Sequence, residues 1–105
     1  MKNTLDVLMS RLRMKQLQLL IALDDHKSLH KAAGAMVMTQ SAASKALAEL
    51  ESMLEAPLPL FERAKTGLIL NPFGRCMVRY ARVLAADLTS LCQKWRRFAR
   101  ARAGG

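Results

Sequence analysis

Apolar positions recur along the chain at helical spacing in three stretches, at strand spacing in one, and at a heptad spacing near the end. Met1 to Ser10 carries a few apolar residues without a clear stripe or stop signal and is expected to be a weakly structured leader. From Arg13, Leu17, Leu20 and Ile21 fall on one helical face with Asp24 next in the period, and Asp24-Asp25 begins a polar break. Ser28 is a candidate N-cap for a short helix from Leu29 to about Met36, because its hydroxyl can accept a free first-turn amide. That helix turns Leu29, Ala32, Ala33 and Met36 inward, and the adjacent alanines allow another helix to approach closely.

Val37-Met38 makes a short connection, and Thr39 caps the next helix, Gln40 to about Leu54. Its buried stripe is Ala43, Leu47, Leu50 and Leu54; the opposite side carries Gln40, Ser41, Ser44, Lys45 and Ala48, none of them bulky and apolar. Pro57 and Pro59 end this helix, since each lacks an amide hydrogen and disfavours helical geometry before it. Leu60–Arg63 reads as a strand, Ala64–Gly67 as a turn and Leu68–Leu70 as the returning strand. Asn71-Pro72 opens the last helix with a cap and a proline at the first helical position. Beyond it, Met77, Ala81, Leu84, Leu88, Leu91, Trp95 and Phe98 follow a strict alternation of four and three, a heptad seam. A helix of about 28 residues would be ~42 Å long, too long for a small domain to cover, so the seam predicts dimerisation.

Composition narrows the class. A chain of 105 residues holds one small domain, and 17 Lys and Arg against 8 Asp and Glu give a net charge of +9, which favours polyanionic partners. The excess is uneven: residues 1–74 carry +2 and residues 75–102 carry +7, with Lys94, Arg96, Arg97, Arg100 and Arg102 crowded at the end. No apolar run approaches the ~20 residues that span a bilayer, and the start lacks the apolar core of a signal peptide. A reduced, cytoplasmic protein is expected, with no membrane association, since its two cysteines have no zinc or disulfide spacing.

Two helices joined tightly, the second with a small polar face, describe a helix-turn-helix, and two short strands after them describe a wing. On double-stranded DNA the second helix would enter the major groove by its N-terminal end. There Gln40 can pair with adenine, Lys45 with guanine or a phosphate, Ser41 and Ser44 with bases or backbone, and Ala42 with a thymine methyl. Lys65, at the wing tip, can reach an adjacent groove or the backbone. The alternative for Gln40, Ser44 and Lys45 is the solvated face of an amphipathic helix, and for Arg63 and Lys65 an ordinary surface, Arg63 pairing with a neighbouring acid.

Ser28-Leu29-His30-Lys31-Ala32-Ala33, Met38-Thr39-Gln40-Ser41-Ala42-Ala43-Ser44-Lys45-Ala46-Leu47, Glu49-Leu50-Glu51 and Leu60-Phe61-Glu62-Arg63 together resemble the N-terminal domain of LysR-type transcriptional regulators. The resemblance covers about residues 12–100. It implies a mainly α fold: a winged helix-turn-helix of three helices and a two-stranded wing over residues 12–70, after a leader at 1–11, then a linker and dimerisation helix at 71–103. By motif position it implies DNA contacts at Thr39, Gln40, Ser41, Ala42, Ser44 and Lys45, with Arg63 ending the first wing strand and Lys65 near its tip. It also implies a bacterial homodimer, and a higher oligomer in a full-length form. Three departures stand out. Glu55 replaces the family's usual glycine, and Leu58-Pro59 reads as a two-residue insertion before the wing that can displace it. Ser41 stands where proline is common. The family's effector-binding domain is absent, so a fragment or a short form is expected, with no small-molecule site.

Other features have weaker functional readings. His26 and His30 sit four apart beside two aspartates, but straddle a helix break and have no evident third metal ligand. Cys76 and Cys92 are too far apart on one helix to pair within the chain, and packing is the expected role of both. The Lys94–Arg102 run is open to three readings: a solvated helix end, a non-specific phosphate binder, or a basic membrane-surface helix with Trp95 and Phe98. No phosphate-cradling loop and no acid–base pair with a nucleophile is present, so neither catalysis nor a cofactor or metal is expected. Two functions rival a sequence-specific regulator: a coiled-coil interaction module that forms mixed dimers with a full-length relative, and a non-specific nucleic-acid or membrane binder acting through its basic end.

Overall fold

A computed structural model describes residues 3–56 and 59–104. In chain order it comprises α1 (Thr4–Arg11), α2 (Met14–His26), α3 (Leu29–Ala35), α4 (Gln40–Leu54), β1 (Phe61–Ala64), β2 (Gly67–Leu70) and α5 (Pro72–Gly104). Pro57 and Leu58, part of the expected helix stop and of the insertion, lie outside the described residues.

The expected leader is a helix instead. Asn3 caps it, its side-chain oxygen accepting the Asp6 amide at 2.9 Å, and Asp6 and Arg11 complement the dipole at opposite ends. α1 packs against α4 with none of its own residues buried. The cap is a single residue ahead of a two-turn segment, which periodicity does not register.

α2 is the centre of the molecule, in contact with α3, α4 and α5. For that reason it buries more than the single stripe expected: Leu17, Leu19, Leu20 and Leu23 are all inside, while Ile21 is half-buried and Asp24 forms ion pairs. Gln16 is also buried, its carboxamide oxygen accepting the Arg13 amide at 2.9 Å. The caps at Ser28 and Thr39 form as expected, accepting amides from Lys31 and Ala42 at 3.2 and 3.1 Å. Ala32 and Ala33 of α3 and Ala43 and Leu50 of α4 are fully inside, with Met53 also buried and Leu47 and Leu54 packed at the margin.

The first wing strand is shifted by one residue from the expected one, and the second begins one residue earlier than expected and ends at Leu70 as expected. Phe61 pairs with Leu70 and Ala64 with Gly67 in an antiparallel ladder, leaving Lys65-Thr66 as a two-residue turn. Leu60 stands outside β1 because its amide is used elsewhere, donating to Glu51 Oε2 at 2.8 Å, while its carbonyl accepts the Asn71 amide in continuation of the same register. Gly67 holds φ at 120°, and a Cβ there would lie 2.5 Å from the Lys27 carbonyl oxygen. The same carbonyl accepts the Leu68 amide at 2.9 Å, which ties the wing to the end of α2.

Asn71 is buried and caps α5 by accepting the Gly74 amide at 2.9 Å, while its side-chain nitrogen donates to the Pro59 carbonyl. α5 has 33 residues, longer than expected, and about 50 Å of rise at 1.5 Å per residue. Gly74, Val78 and Ala81 are its buried residues. No helix among the described residues is long and apolar enough to cross a membrane.

Candidate nucleic-acid interface

Ala43, fully buried, fixes the orientation of α4 on the core. With that anchor, Gln40, Ser41, Ala42, Ser44 and Lys45 are all exposed around the first turns. Thr39, also exposed, uses a hydroxyl lone pair for the Ala42 amide, and its O–H remains available to donate outward. The six α4 candidates therefore form one continuous surface around the helix N-terminus.

The wing brings Arg63 to that surface. One shallow recess of about 290 Å³ is lined by Gln40 and Arg63 together with Lys27, Ser28 and His30. A second, of about 260 Å³, places Arg63 with Ser44, Leu47 and Glu51. Arg63 thus shares one recess with Gln40 and the other with Ser44. Ala64, rather than Arg63, ends the first strand. Lys65 is exposed in the turn and lines neither recess. Among the described residues the ion pairs are Lys27–Asp24, Arg82–Asp24 and Arg82–Asp25, so Arg63 is not engaged by an acid there. Lys27, Ser28 and His30 enlarge the cationic and polar margin; the Lys27 contribution follows from its position after α2, where it turns the chain in a left-handed conformation at φ 56°.

The dimerisation candidates divide. Met77 packs against the chain's own core and Ala81 is 1% exposed, so both are occupied within the chain. Leu84, Leu88, Leu91, Trp95 and Phe98 are exposed, the last two at 70% and 69%. They continue the heptad beyond the point where the core ends. Cys76 and Cys92 are exposed, contrary to the packing role expected of them; Cys92 lines an open recess with Met14 and Gln18 of α2. His26 and His30 are exposed, and no group of three or more potential metal ligands gathers among the described residues.

Asp24, Asp25, Lys27 and Arg82 form a cluster that the sequence did not reveal. Arg82 Nη2 donates to Asp24 Oδ2 at 2.7 Å and to Asp25 Oδ1 at 2.8 Å, and Lys27 Nζ donates to Asp24 Oδ1 at 2.8 Å. The Lys27 hydrogen bond holds the Asp24 carboxyl below its usual pKa against partial burial, with Arg82 adding to the effect. The two aspartates raise the Arg82 guanidinium in turn.

Residues 14–75 match the bacterial regulatory helix-turn-helix proteins of the lysR family. The chain is 44% identical over 81 residues to the HTH-type transcriptional regulator GbpR of Azospirillum brasilense, covering 77% of this chain and 23% of that protein. It is 36% identical over 94 residues to the small neutral protease regulatory protein of Streptomyces coelicolor, covering 90% of this chain and 27% of that one. The chain thus spans about a quarter of the length of these curated relatives. Among solved structures, a LysR family transcriptional regulator superposes with a TM-score of 0.71 at 30% identity, over 86% of this chain and 29% of that chain. Vibrio fischeri DarR in complex with DNA superposes with a TM-score of 0.75 at 23% identity, over 87% and 30%, a likeness of fold. By the match over residues 14–75 and its identity to these relatives, the chain belongs to the lysR family of bacterial regulatory helix-turn-helix proteins.

Proposed function

We propose that this chain is the sequence-specific DNA-binding domain of a transcription regulator, acting as a homodimer on two operator half-sites with α4 in the major groove. The observation that carries the reading is the exposed surface of Thr39, Gln40, Ser41, Ala42, Ser44 and Lys45, set against the buried Ala43 and flanked by Arg63. Gln40 supplies a donor–acceptor pair matched to adenine, Ser41 and Ser44 bond bases or phosphates, and Ala42 accommodates a thymine methyl. Lys45 pairs with guanine or a phosphate, and Arg63 and Lys65 hold the backbone beside the groove. Residues 12–70 form the reading unit and residues 71–103 the dimerisation helix, which pairs through Leu84, Leu88, Leu91, Trp95 and Phe98. A protein reading a bacterial operator works in the cytoplasm.

The test is a pair of substitutions titrated against a selected operator and a scrambled duplex. Gln40→Ala and Ser44→Ala should weaken operator binding by ~1–3 kcal/mol for a lost bidentate contact and leave the scrambled duplex nearly unaffected. Equal loss on both duplexes would contradict base reading by α4. A second reading, a dimerisation module that forms mixed dimers with a longer relative, draws support from the exposed α5 face and the chain's coverage of only a quarter of its relatives. Co-expression with a tagged relative and recovery of hetero-oligomers distinguishes it.

A further inference from the structure

The fully buried residues of α5 lie in its first turns. Its buried residues, Gly74, Val78 and Ala81, all precede Arg82. Beyond that point Ala85 is half-buried, and an open groove of about 470 Å³ lies between Met14 and Gln18 of α2 and Ala85, Leu88, Cys92 and Arg96 of α5. Among the described residues none of α5 beyond Ala81 is fully buried, so close packing against α2 is sparse there.

At the point of departure stands Arg82, bonded to both Asp24 and Asp25 of α2 at 2.7 and 2.8 Å. The two acids occupy the last turn of α2, where the helix dipole disfavours negative charge, so the local helix gains nothing from them. Their partners make the difference. Lys27 also bonds Asp24, and the Lys27 carbonyl accepts the Leu68 amide of the wing at 2.9 Å. The next residue, Ser28, caps the helix that leads into α4. One cluster thus joins the long helix, the wing and the start of the helix-turn-helix.

We infer that the Arg82–Asp24–Asp25 cluster sets the angle between α5 and the reading domain, and so fixes the distance between the two half-sites that a dimer can read. This rests on the dimeric reading proposed above. From Arg82 to the end of α5 at Gly104 the helix is a lever of ~33 Å. A rotation of about 10° at its base moves the far end by about 6 Å, close to two base-pair steps of 3.4 Å. Arg82 is a positioning residue in this account: it touches no base, and it acts on spacing.

The test is a library of duplexes with two constant half-sites separated by a variable number of base pairs, presented to the 105-residue chain and to two variants. Arg82→Gln removes one positive charge, whereas the double substitution Asp24→Asn and Asp25→Asn removes two negative ones. Both break the cluster while shifting net charge in opposite directions. In both, preference for the best spacing over one two base pairs away should fall about threefold to fivefold, the scale of losing two partly exposed ion pairs. Affinity for an isolated half-site should keep its base preference. Thermal melts and half-site binding establish that each variant is folded; the neutral Asn pair provides an independent route should Arg82→Gln unfold.

Unchanged spacing preference in either folded variant would overturn the inference. Changes of opposite sign in the two variants would assign the effect to net charge and overturn it as well. A wild-type chain that selects the half-site sequence but accepts every spacing would overturn it while leaving base reading intact. A chain that selects no half-site would overturn the proposed function and this inference with it.

Discussion

Gln40 and Lys45 differ in what they can contribute to recognition. The neutral carboxamide of Gln40 distinguishes bases by geometry, while the ammonium of Lys45 gains from any phosphate as well as from guanine. Lys45→Ala should therefore lower the salt dependence of binding by about one unit of slope if it holds a phosphate, and relax preference at one base pair if it reads guanine. Titrations of operator and scrambled duplex over a salt series separate these outcomes. Three helices end in left-handed residues that are not glycine: Lys27, Val37 and Glu55, with φ of 56°, 55° and 52°. Glu55 stands where the related motif favours glycine, and its side chain is exposed. Replacing it by glycine should raise stability by about 1 kcal/mol, measured by urea unfolding, because glycine adopts this conformation without the Cβ penalty. Asp24 has the opposite dependence on environment. Its carboxyl pKa is lowered in the fold, so its contribution is complete above the ordinary carboxylate range and is lost as pH falls through the depressed value. Asp24→Asn should accordingly destabilise the chain near neutral pH, with the difference from wild type vanishing in strong acid; unfolding curves at both pH values check the sign.

The elements that were legible in the sequence are those defined by local chemistry. α3 and α4 begin where Ser28 and Thr39 cap them, α5 where Asn71-Pro72 does, and the buried stripe of α4 follows its apolar period. What escaped depends on distant partners or on very short segments. α1 rests on one Asn3 cap, and the first wing strand begins one residue later because Leu60 spends its amide on Glu51. The Arg82 contacts join residues 57 and 58 positions apart, beyond any local pattern. The candidate α4 surface was fully visible, since Gln40 to Lys45 are contiguous; the approach of Arg63 to Gln40 and Ser44 required the fold. The wing turn offers its own check. Gly67→Ala would force a Cβ against the Lys27 carbonyl at a φ of 120°, and should cost about 1–2 kcal/mol or more in stability.

For the whole molecule the distribution of surface decides the account. The core made by α2, α3, α4 and the wing ends at Ala81, and the rest of the heptad leaves the domain uncovered. Leu88 and Leu91 are 44% and 56% exposed, so replacing both by lysine should leave the folded domain intact and shift the chain to monomer in sedimentation experiments. In the proposed dimer, the same change reduces operator binding to that of independent half-sites. In the proposed function the strong positive charge of residues 75–102 would speed the approach to DNA without selecting sequence. In the proposed function, selection falls to the polar face of α4 that carries Gln40, Ser44 and Lys45. The most direct measurement is therefore selection of duplexes from a random DNA pool, followed by titration of the chain against the winner and its scramble at two salt concentrations. The account predicts an interrupted palindrome bound ~10³-fold or more tighter than its scramble. No enriched sequence, with affinities equal for both duplexes and falling alike with salt, would contradict it.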